Sequence, residues 1–324
     1  MDPTGANLQI FFTGLQVSWQ GAYDQEAVFW SQLATMLPSS TELEQYGWMD
    51  KVSPLLQWIG PRTVNALPTR TRVVTNLDWQ RTDSIPRNKF LDDKLGLFTF
   101  QAKDMGQATA KLHDLQLVKI IQGTATTQTG PAPTGNPVCF DGVTFWNTAH
   151  PVDIDAGTGG PLGSYSNDFT TLALTPTNYG AGRADMRSYI GRDGIPLGIV
   201  PKLLVVPPQL EEVGKNIIEA TMIAPQTLAN GTQVGANTNP WRGTAQLLVI
   251  DELANQPKVW YLVDPTRSIR PFVVQQRQAP EFVYLVNPND PNVFWQKEYV
   301  FGVDARSAYD VTIPFLAARF GAGL

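Results

Sequence analysis

Seven apolar residues in steps of three and four, Ala102, Met105, Ala108, Leu112, Leu115, Val118 and Ile121, trace one face of an α-helix. Gly123 is placed to stop it. A helix running without a break over residues 97–122 spans about 39 Å at roughly 1.5 Å per residue. Gly106 within it costs about 1 kcal/mol relative to Ala, which marks the neighbourhood of Met105 for a kink or a helix start.

Around this helix the pattern is extended. Residues 71–77 are β-branched and read as a strand, residues 79–90 as a second, and together they predict a long two-stranded hairpin. Strands are predicted at 203–206, 245–250, 258–263, 269–275 and 281–286. A last run has Val293, Trp295, Tyr299, Phe301 and Val303 on one face. Shorter helices are expected at 25–37, ended by Pro38, and at 175–191, capped by Thr177 or Asn178 with Met186 and Ile190 inward. Another follows Pro207-Pro208, with Leu210, Val213, Ile217 and Ala220 inward. Residues 46–60 read as an aromatic strap broken by Pro54, and residues 123–137 and 155–166 as loops. No internal repeat is visible. Helices and antiparallel strands in separate blocks make the fold class α+β.

Charge is sparse and unevenly placed. Asp, Glu, Lys and Arg make up 16% of the chain, against roughly 25% in average soluble proteins. Low charge with nine Trp, nine Tyr, fifteen Phe and 25 Pro suits a subunit covered by other subunits, and equally a β-rich monomer with long loops. Residues 1–50 hold no Lys or Arg but carry Asp2, Asp24, Glu26, Glu42, Glu44 and Asp50. Residues 62–94 reverse the sign, with Arg62, Arg70, Arg72, Arg81, Arg87, Lys89 and Lys94 against Asp78, Asp83, Asp92 and Asp93. The two stretches are complementary. Arg70, Arg72, Arg81, Arg87 and Lys89 of one copy are therefore expected to meet Asp24, Glu26, Glu42 and Glu44 of another. Exposed pairs are worth at most about 1 kcal/mol each, so their role would be register and partner choice. On this view an arm and a projecting hairpin give the free subunit a radius of gyration clearly above the ~20 Å of a compact globule of this length.

Chemistry is hard to find. There is no phosphate-binding glycine loop, and the two histidines and one cysteine leave little for a metal. The candidate nucleophile is Cys139, with His150 as base and Asp141 or Asp153 as orienter, but all four lie within fifteen residues. A lone Cys beside Phe140 is more often a small buried hydrophobe. His113 falls on the polar side of the long helix and is expected to be solvated. The net charge of −5 argues against a basic face that grips nucleic acid. No cofactor is expected, and no signal peptide or membrane span is read in the sequence, which points to a reducing cytoplasm until assembly.

A set of ordered motifs carries a resemblance. Trp58-Ile59-Gly60-x-Arg62 leads to Asn76, Asp78-Trp79 and Arg87, then Asp92-Asp93-x-x-Gly96. Phe140-Asp141-Gly142 is followed by Thr148-x-His150-Pro151-Val152 and by Leu204-Val205-Val206-Pro207-Pro208. Asn239-Pro240-Trp241, Trp260-Tyr261-Leu262, Gln276-Arg277-x-x-Pro280-Glu281-Phe282 and Gly302-Val303-Asp304-x-Arg306 complete the set. In their order and spacing, over residues 46–306, these motifs resemble the major head subunit family of Mu-like phages and prophages. Ala149 stands where the family tends to carry an acid, and the insertion at 123–137 is longer.

The resemblance implies the Hong Kong 97-type capsid fold. It assigns residues 1–55 to an N-terminal arm and 56–94 to an extended hairpin loop. Residues 95–167 would form the peripheral domain with its spine helix, 168–288 the axial domain, and 289–324 the return strand of the peripheral domain. It implies a virion structural protein and not an enzyme. That protein would be assembled in a bacterial host from hexamers and pentamers of itself around double-stranded DNA, with scaffold, portal and decoration proteins as further partners. Some shells of this architecture are joined covalently through a hairpin lysine; Lys89 reads as an ordinary surface lysine, since no partner Asn is singled out. An encapsulin-like nanocompartment shell, a tail or connector component and a Cys/His hydrolase are the alternatives.

Overall fold

The computed structural model describes residues 5–49, 69–92, 96–123, 136–223, 226–227, 233–234, 237–287 and 290–321. The chain begins with α1 (Gly5–Gln25), the single turn α2 (Trp30–Leu33), β1 (Ala34–Pro38), β2 (Leu43–Met49), β3 (Thr69–Thr75), β4 (Leu77–Pro86) and α3 (Arg87–Asp92). It continues through α4 (Leu97–Ala110), α5 (Leu112–Gln122), β5 (Asp168–Phe169), α6 (Pro176–Ser188), β6 (Leu203–Val206) and α7 (Glu211–Ile218). It closes with β7 (Gln246–Val249), β8 (Trp260–Val263), β9 (Phe272–Leu285), β10 (Glu298–Val311) and β11 (Ala317–Phe320).

Two sheets organise these elements. β9 and β10 form a long antiparallel pair, with Phe272 opposite Val311 and Leu285 opposite Val300. β1 adds parallel to β9, and β4 adds antiparallel to β10, giving the order β1-β9-β10-β4. The second sheet has the order β7-β6-β8-β11-β5. Its central strands Leu203–Val206 and Trp260–Val263 are wholly apolar and buried on both faces, as a strand covered from both sides requires. α6 and α7 supply Tyr179, Met186, Ile217 and Ile218 to one side of it. α5 supplies Leu117, Ile120 and Ile121 to a core shared by both sheets.

α1 is the main departure from the sequence reading. Leu8, Phe12, Leu15 and Trp19 recur at helical spacing and are all buried, so Gly5–Gln25 is a helix packed on its own subunit. Each such side chain contributes about 1.5–3 kcal/mol when buried. Phe12 stacks on Tyr284 at 5.6 Å and Trp19 lies 5.8 Å from Phe282, which sets α1 on the β9–β10 sheet. α4 runs alongside in the same direction: Phe11 meets Phe98 edge-on, and Trp19 Nε1 donates to Thr109 Oγ1. Gly106 is where the two backbones touch, because a Cβ there would sit 2.4 Å from the Trp19 carbonyl oxygen.

Other expectations are corrected. The helix over 97–122 divides at Lys111 (φ −75, ψ −2), not at Gly106. The break rotates the buried face, so Ala102, Met105, Val118 and Ile121 are inward as predicted while Ala108 and Leu115 are exposed. His113 is buried, not solvated, with Nδ1 2.8 Å from Tyr309 Oη and Trp30 against its ring. The helix predicted at 25–37 is one turn followed by β1, because Ala34–Pro38 gains more by pairing with Phe272 to Gln276. β3 and β4 do not form a hairpin with each other: β3 pairs with β2, and β4 with β10. The runs predicted at 269–275 and 281–286 are one strand, bulged between Gln276 and Glu281 where Pro280 cannot donate to the ladder. Phe294 and Trp295 lie in a π-helical turn, not in a strand. α6 is capped by Thr175, whose Oγ1 accepts from Asn178 N. Most of the predicted loop at 123–137 falls outside the described residues.

Two predictions follow from this packing. Gly106→Ala should destabilise the subunit by about 1–3 kcal/mol in urea unfolding, since overpacking outweighs helix propensity. Gly14→Ala, with nothing within 4 Å of the new Cβ, should stabilise by about 0.5–1 kcal/mol; the same sign for both variants would contradict the packing.

The second concerns adjacent buried groups. Burial pushes the His113 imidazole down to about 4. Burial also pushes the Asp114 carboxyl up to about 6, although it accepts from the Phe29 and Trp30 amides. The stability linked to His113 is present above its ordinary 6.5 and lost as pH falls towards about 4. The stability linked to Asp114 is present below its ordinary 3.8 and lost as pH rises through about 6. The slopes oppose each other in the intact chain. His113→Gln should therefore gain stability relative to the unsubstituted chain between pH 6.5 and 4, and Asp114→Asn should lose it. Urea midpoints that run parallel in all three would refute the assignment.

Candidate assembly surface

β2 and β3 form a ribbon, with Leu43 opposite Thr75 and Met49 opposite Thr69, and among the described residues they pair only with each other. Two strands alone are marginal in water, so the ribbon depends on its root. Tyr46 Oη donates to Gln275 Oε1 at 2.8 Å, and Gln275 Nε2 donates to Asn76 Oδ1 at 2.8 Å. Asn76 Nδ2 in turn donates to Ser39 Oγ at 2.8 Å and to the Thr41 carbonyl at 2.9 Å. Gln275 and Asn76 are buried, and each has its polar atoms satisfied. Burial, then the charges of Glu44 and Asp310, push the Tyr46 phenol up and keep it a donor.

Arg72 is the strongest anchor. Its Nη2 donates to Asp310 Oδ1 at 2.6 Å, its Nε faces Asp310 Oδ2, and its Nη1 reaches the Val138 carbonyl. Burial opposes the guanidinium charge, but the hydrogen bonds and charge of Asp310 more than offset it, so the Arg72 pKa is raised. Asp310 lies in an otherwise apolar run of β10. It is not among the residues singled out from the sequence, although an acid among Ala308, Tyr309 and Val311 signals a buried charge that needs a partner.

The other residues expected to bridge copies divide into two groups. Arg81 pairs within the chain with Asp104 at 3.1 Å and Asp83 at 3.6 Å. Glu26 pairs with Lys111 at 3.3 Å. Glu44 Oε1 accepts from the Ser40 and Thr41 amides and from Ser39 Oγ, which together lower its carboxyl to about 2. Arg87, Lys89, Asp24 and Glu42 are exposed; Asp24 accepts from Gln20 Nε2 at 2.8 Å, and the other three have no ion pair among the described residues. The side chain of Arg70, and most of the strap expected at 46–60, lie outside the described residues.

The hydrolase alternative fails on geometry. His150 Nδ1 lies 2.5 Å from Asp141 Oδ2, while Nε2 lies 3.0 Å from the Phe145 carbonyl and 3.2 Å from Asn167 Oδ1. Both ring nitrogens are engaged by acceptors, so none is left for a thiol. Asp153 is held by Arg192 at 3.0 Å. The Cys139 thiol is buried, and burial, then the charge of Asp141, push its pKa well up, the opposite of an activated nucleophile. Asn167, donating to Phe145 O and Pro314 O, completes a brace that joins the 139–150 loop to the body. Among the described residues no group of His, Cys, Asp and Glu is placed to hold a metal.

Comparison with known proteins agrees with a structural role. The chain is 22% identical over 305 residues to the major capsid protein of Escherichia phage Mu, covering 94% of this chain and 70% of that protein. The procapsid structure of bacteriophage JBD30 matches with a TM-score of 0.55 and 20% identity, over 99% of this chain and 77% of that one. The JBD30 capsid decorated with minor capsid protein trimers matches at 0.50 and 21% identity, over 70% of this chain and 91% of that one. The fold is thus the mixed α+β, Hong Kong 97-type fold of tailed-phage capsid proteins. The model of the Mu-like prophage major head subunit gpT family matches residues 8–171, 169–253 and 251–320, and this chain belongs to that family.

Proposed function

We propose that copies of this chain tile as hexamers and pentamers into a closed icosahedral shell that encloses double-stranded DNA. The chain is a major capsid protein of a Mu-like phage head, a virion component and not an enzyme. The observation that carries this reading is the family match along almost the whole length, residues 8–320. The net charge of −5 suits a wall that contains DNA without gripping its sequence. The decorated JBD30 capsid supports a decoration protein as a partner here, with scaffold and portal proteins as further ones.

The division into arm (1–55), hairpin loop (56–94), peripheral domain (95–167 and 289–324) and axial domain (168–288) is retained as part of this proposal, with two adjustments. Residues 8–38 pack on or pair with their own subunit, and the ribbon begins at Leu43. The contacts proposed between copies narrow to Arg87 and Lys89 on one side and Asp24 and Glu42 on the other. The remaining described candidates, Arg72, Arg81, Glu26 and Glu44, have partners within the chain, and Arg70 is kept on its sequence alone.

Electron microscopy of the chain expressed alone and with candidate scaffold proteins tests the shell. Closed polyhedra with five- and six-fold clusters are expected; rings, tubes or monomers under every condition would overturn it. Arg72→Glu should cost the subunit about 3–5 kcal/mol in chemical unfolding, because it leaves Asp310 buried without a counter-charge. Arg87→Glu with Lys89→Glu should leave the unfolding midpoint within about 0.5 kcal/mol while slowing or distorting assembly. Normal shells from that double variant would remove the charge contact.

A further inference from the structure

Near the C-terminal end of α6 a cleft of about 300 Å³ opens between that helix and the short ladder that pairs His150-Pro151 with Ser164-Tyr165. Asp185 is the only charged residue that lines it; Val152, Leu162, Tyr165, Phe169 and Tyr189 supply apolar and aromatic walls. The walls are fixed from behind. Tyr165 stacks on His150 at 5.2 Å, and its ring lies 4.9 Å from that of Tyr189. Tyr189 Oη donates to the Ser166 carbonyl at 2.5 Å, and Phe169 stacks on Phe320 at 5.0 Å. A site held open in this way spares a ligand the entropy cost of shaping it.

Asp185 has nothing to answer its charge. Among the described residues no hydrogen bond or ion pair reaches its carboxylate. Burial raises its pKa, with no donor or cation to offset the rise. The cations closest in sequence are engaged or turned away. Arg192 pairs with Asp153 at 3.0 Å and with Asp155 at 2.8 Å. Arg183 donates to the Pro201 carbonyl at 2.6 Å and the Thr244 carbonyl at 3.3 Å. Arg183 and Arg187 each lie two positions from Asp185 on α6, a spacing at which side chains do not face each other. A partly desolvated carboxylate without a counter-charge favours a cation that comes from outside.

The lining selects the kind of cation. Calcium and magnesium take roughly six or more oxygen ligands, and among the described residues no group of His, Cys, Asp and Glu is placed to hold a metal. A guanidinium brings more N–H donors than an ammonium. The acceptors here are few: the Asp185 carboxylate and the Ser188 hydroxyl, whose own proton goes to the Asp185 carbonyl at 2.7 Å. Apolar walls suit a methylene stem, and ring faces attract the ammonium that it carries.

We propose that this cleft binds a primary alkylammonium group, with Asp185 as its counter-charge and the Tyr165, Phe169 and Tyr189 rings around its stem. Two sources carry that group: a free aliphatic diamine and the lysine side chain of another protein. The cleft lies within one subunit, so the site does not depend on the shell reading. Calorimetric titration of the free subunit tests it, with butane-1,4-diamine for the first source and Nα-acetyl-lysine amide for the second. Nα-acetyl-norleucine amide is the uncharged control. Binding of at least one amine and not of the control is expected, and the tighter amine names the source. Asp185→Asn should weaken that binding by about tenfold or more, as the loss of a charged hydrogen bond implies. Leu162→Lys leaves Asp185 in place and should block the amine by filling the cleft from within the chain. The site is overturned if neither amine binds, if the norleucine control binds equally, or if either variant binds the amine as the unsubstituted chain does.

Discussion

The pairing of β9 with β10 is the constraint on which the rest of this structure depends. One face of their outer halves carries Phe282, Tyr284, Tyr299, Phe301 and Val303, and α1 and α4 close over it. Their inner halves carry Phe272, Val274, Tyr309 and Val311 into the core shared with α5 and the second sheet. A side-chain period of two means that a one-residue slip would turn each of these faces to solvent. The bulges between Gln276 and Glu281 absorb the irregularity where Pro280 interrupts the ladder, and the strands regain register beyond it. Both long strands therefore have one register that buries both sets of residues.

The same pair supplies the polar anchors of the ribbon. Gln275 on β9 and Asp310 on β10 are buried, and each would be costly without a partner. Their partners, Asn76 and Tyr46 for one and Arg72 for the other, come from the ribbon and the connection after it. A buried ion pair is weak evidence for net stability, because desolvation can consume most of its attraction. Its effect is selective: positions of the ribbon that leave Asp310 unpaired are penalised, so the ribbon leaves the body in one direction. For a subunit whose neighbours must find a fixed edge, direction matters more than depth of binding.

How much of this was legible in the sequence varied with the kind of signal. Period-two alternation gave β10 from Tyr299 onward, and the apolar runs gave β6 and β8, because burial on known faces leaves a direct imprint. α1 was missed even though Leu8, Phe12, Leu15 and Trp19 keep helical spacing. Low helix propensity around Gly14 and Gly21 masked it, and only tertiary packing on α4 and the sheet decides the outcome. The break at Lys111 left no local mark, since Lys is a good helix former. Short-range proximity favours a β3–β4 hairpin, whereas the pairings of β3 with β2 and of β4 with β10 are not encoded in the linear pattern. The charge asymmetry between residues 1–50 and 62–94 is plain in the sequence, but the partner of each charge is not: Arg81 and Glu26 meet Asp104 and Lys111 of the same chain.

A head subunit divides its surface between charges met within the chain and groups left for its neighbours. Arg72, Arg81, Glu26 and Arg306 meet opposite charges within the chain, whereas Arg87, Lys89 and Glu42 have no ion pair among the described residues. What remains unpaired alongside them is apolar: Ile10 and Val17 on the outer face of α1, Leu97 and Phe100 on α4, and the Phe294–Trp295 turn. Small apolar patches do not hold two proteins together by themselves. In the proposed shell each copy would use such patches together, and weak contacts would add while the entropy of association is lost only once per copy. The low charge of the chain fits this arrangement, because a surface covered by its own copies has little use for solvation by ions.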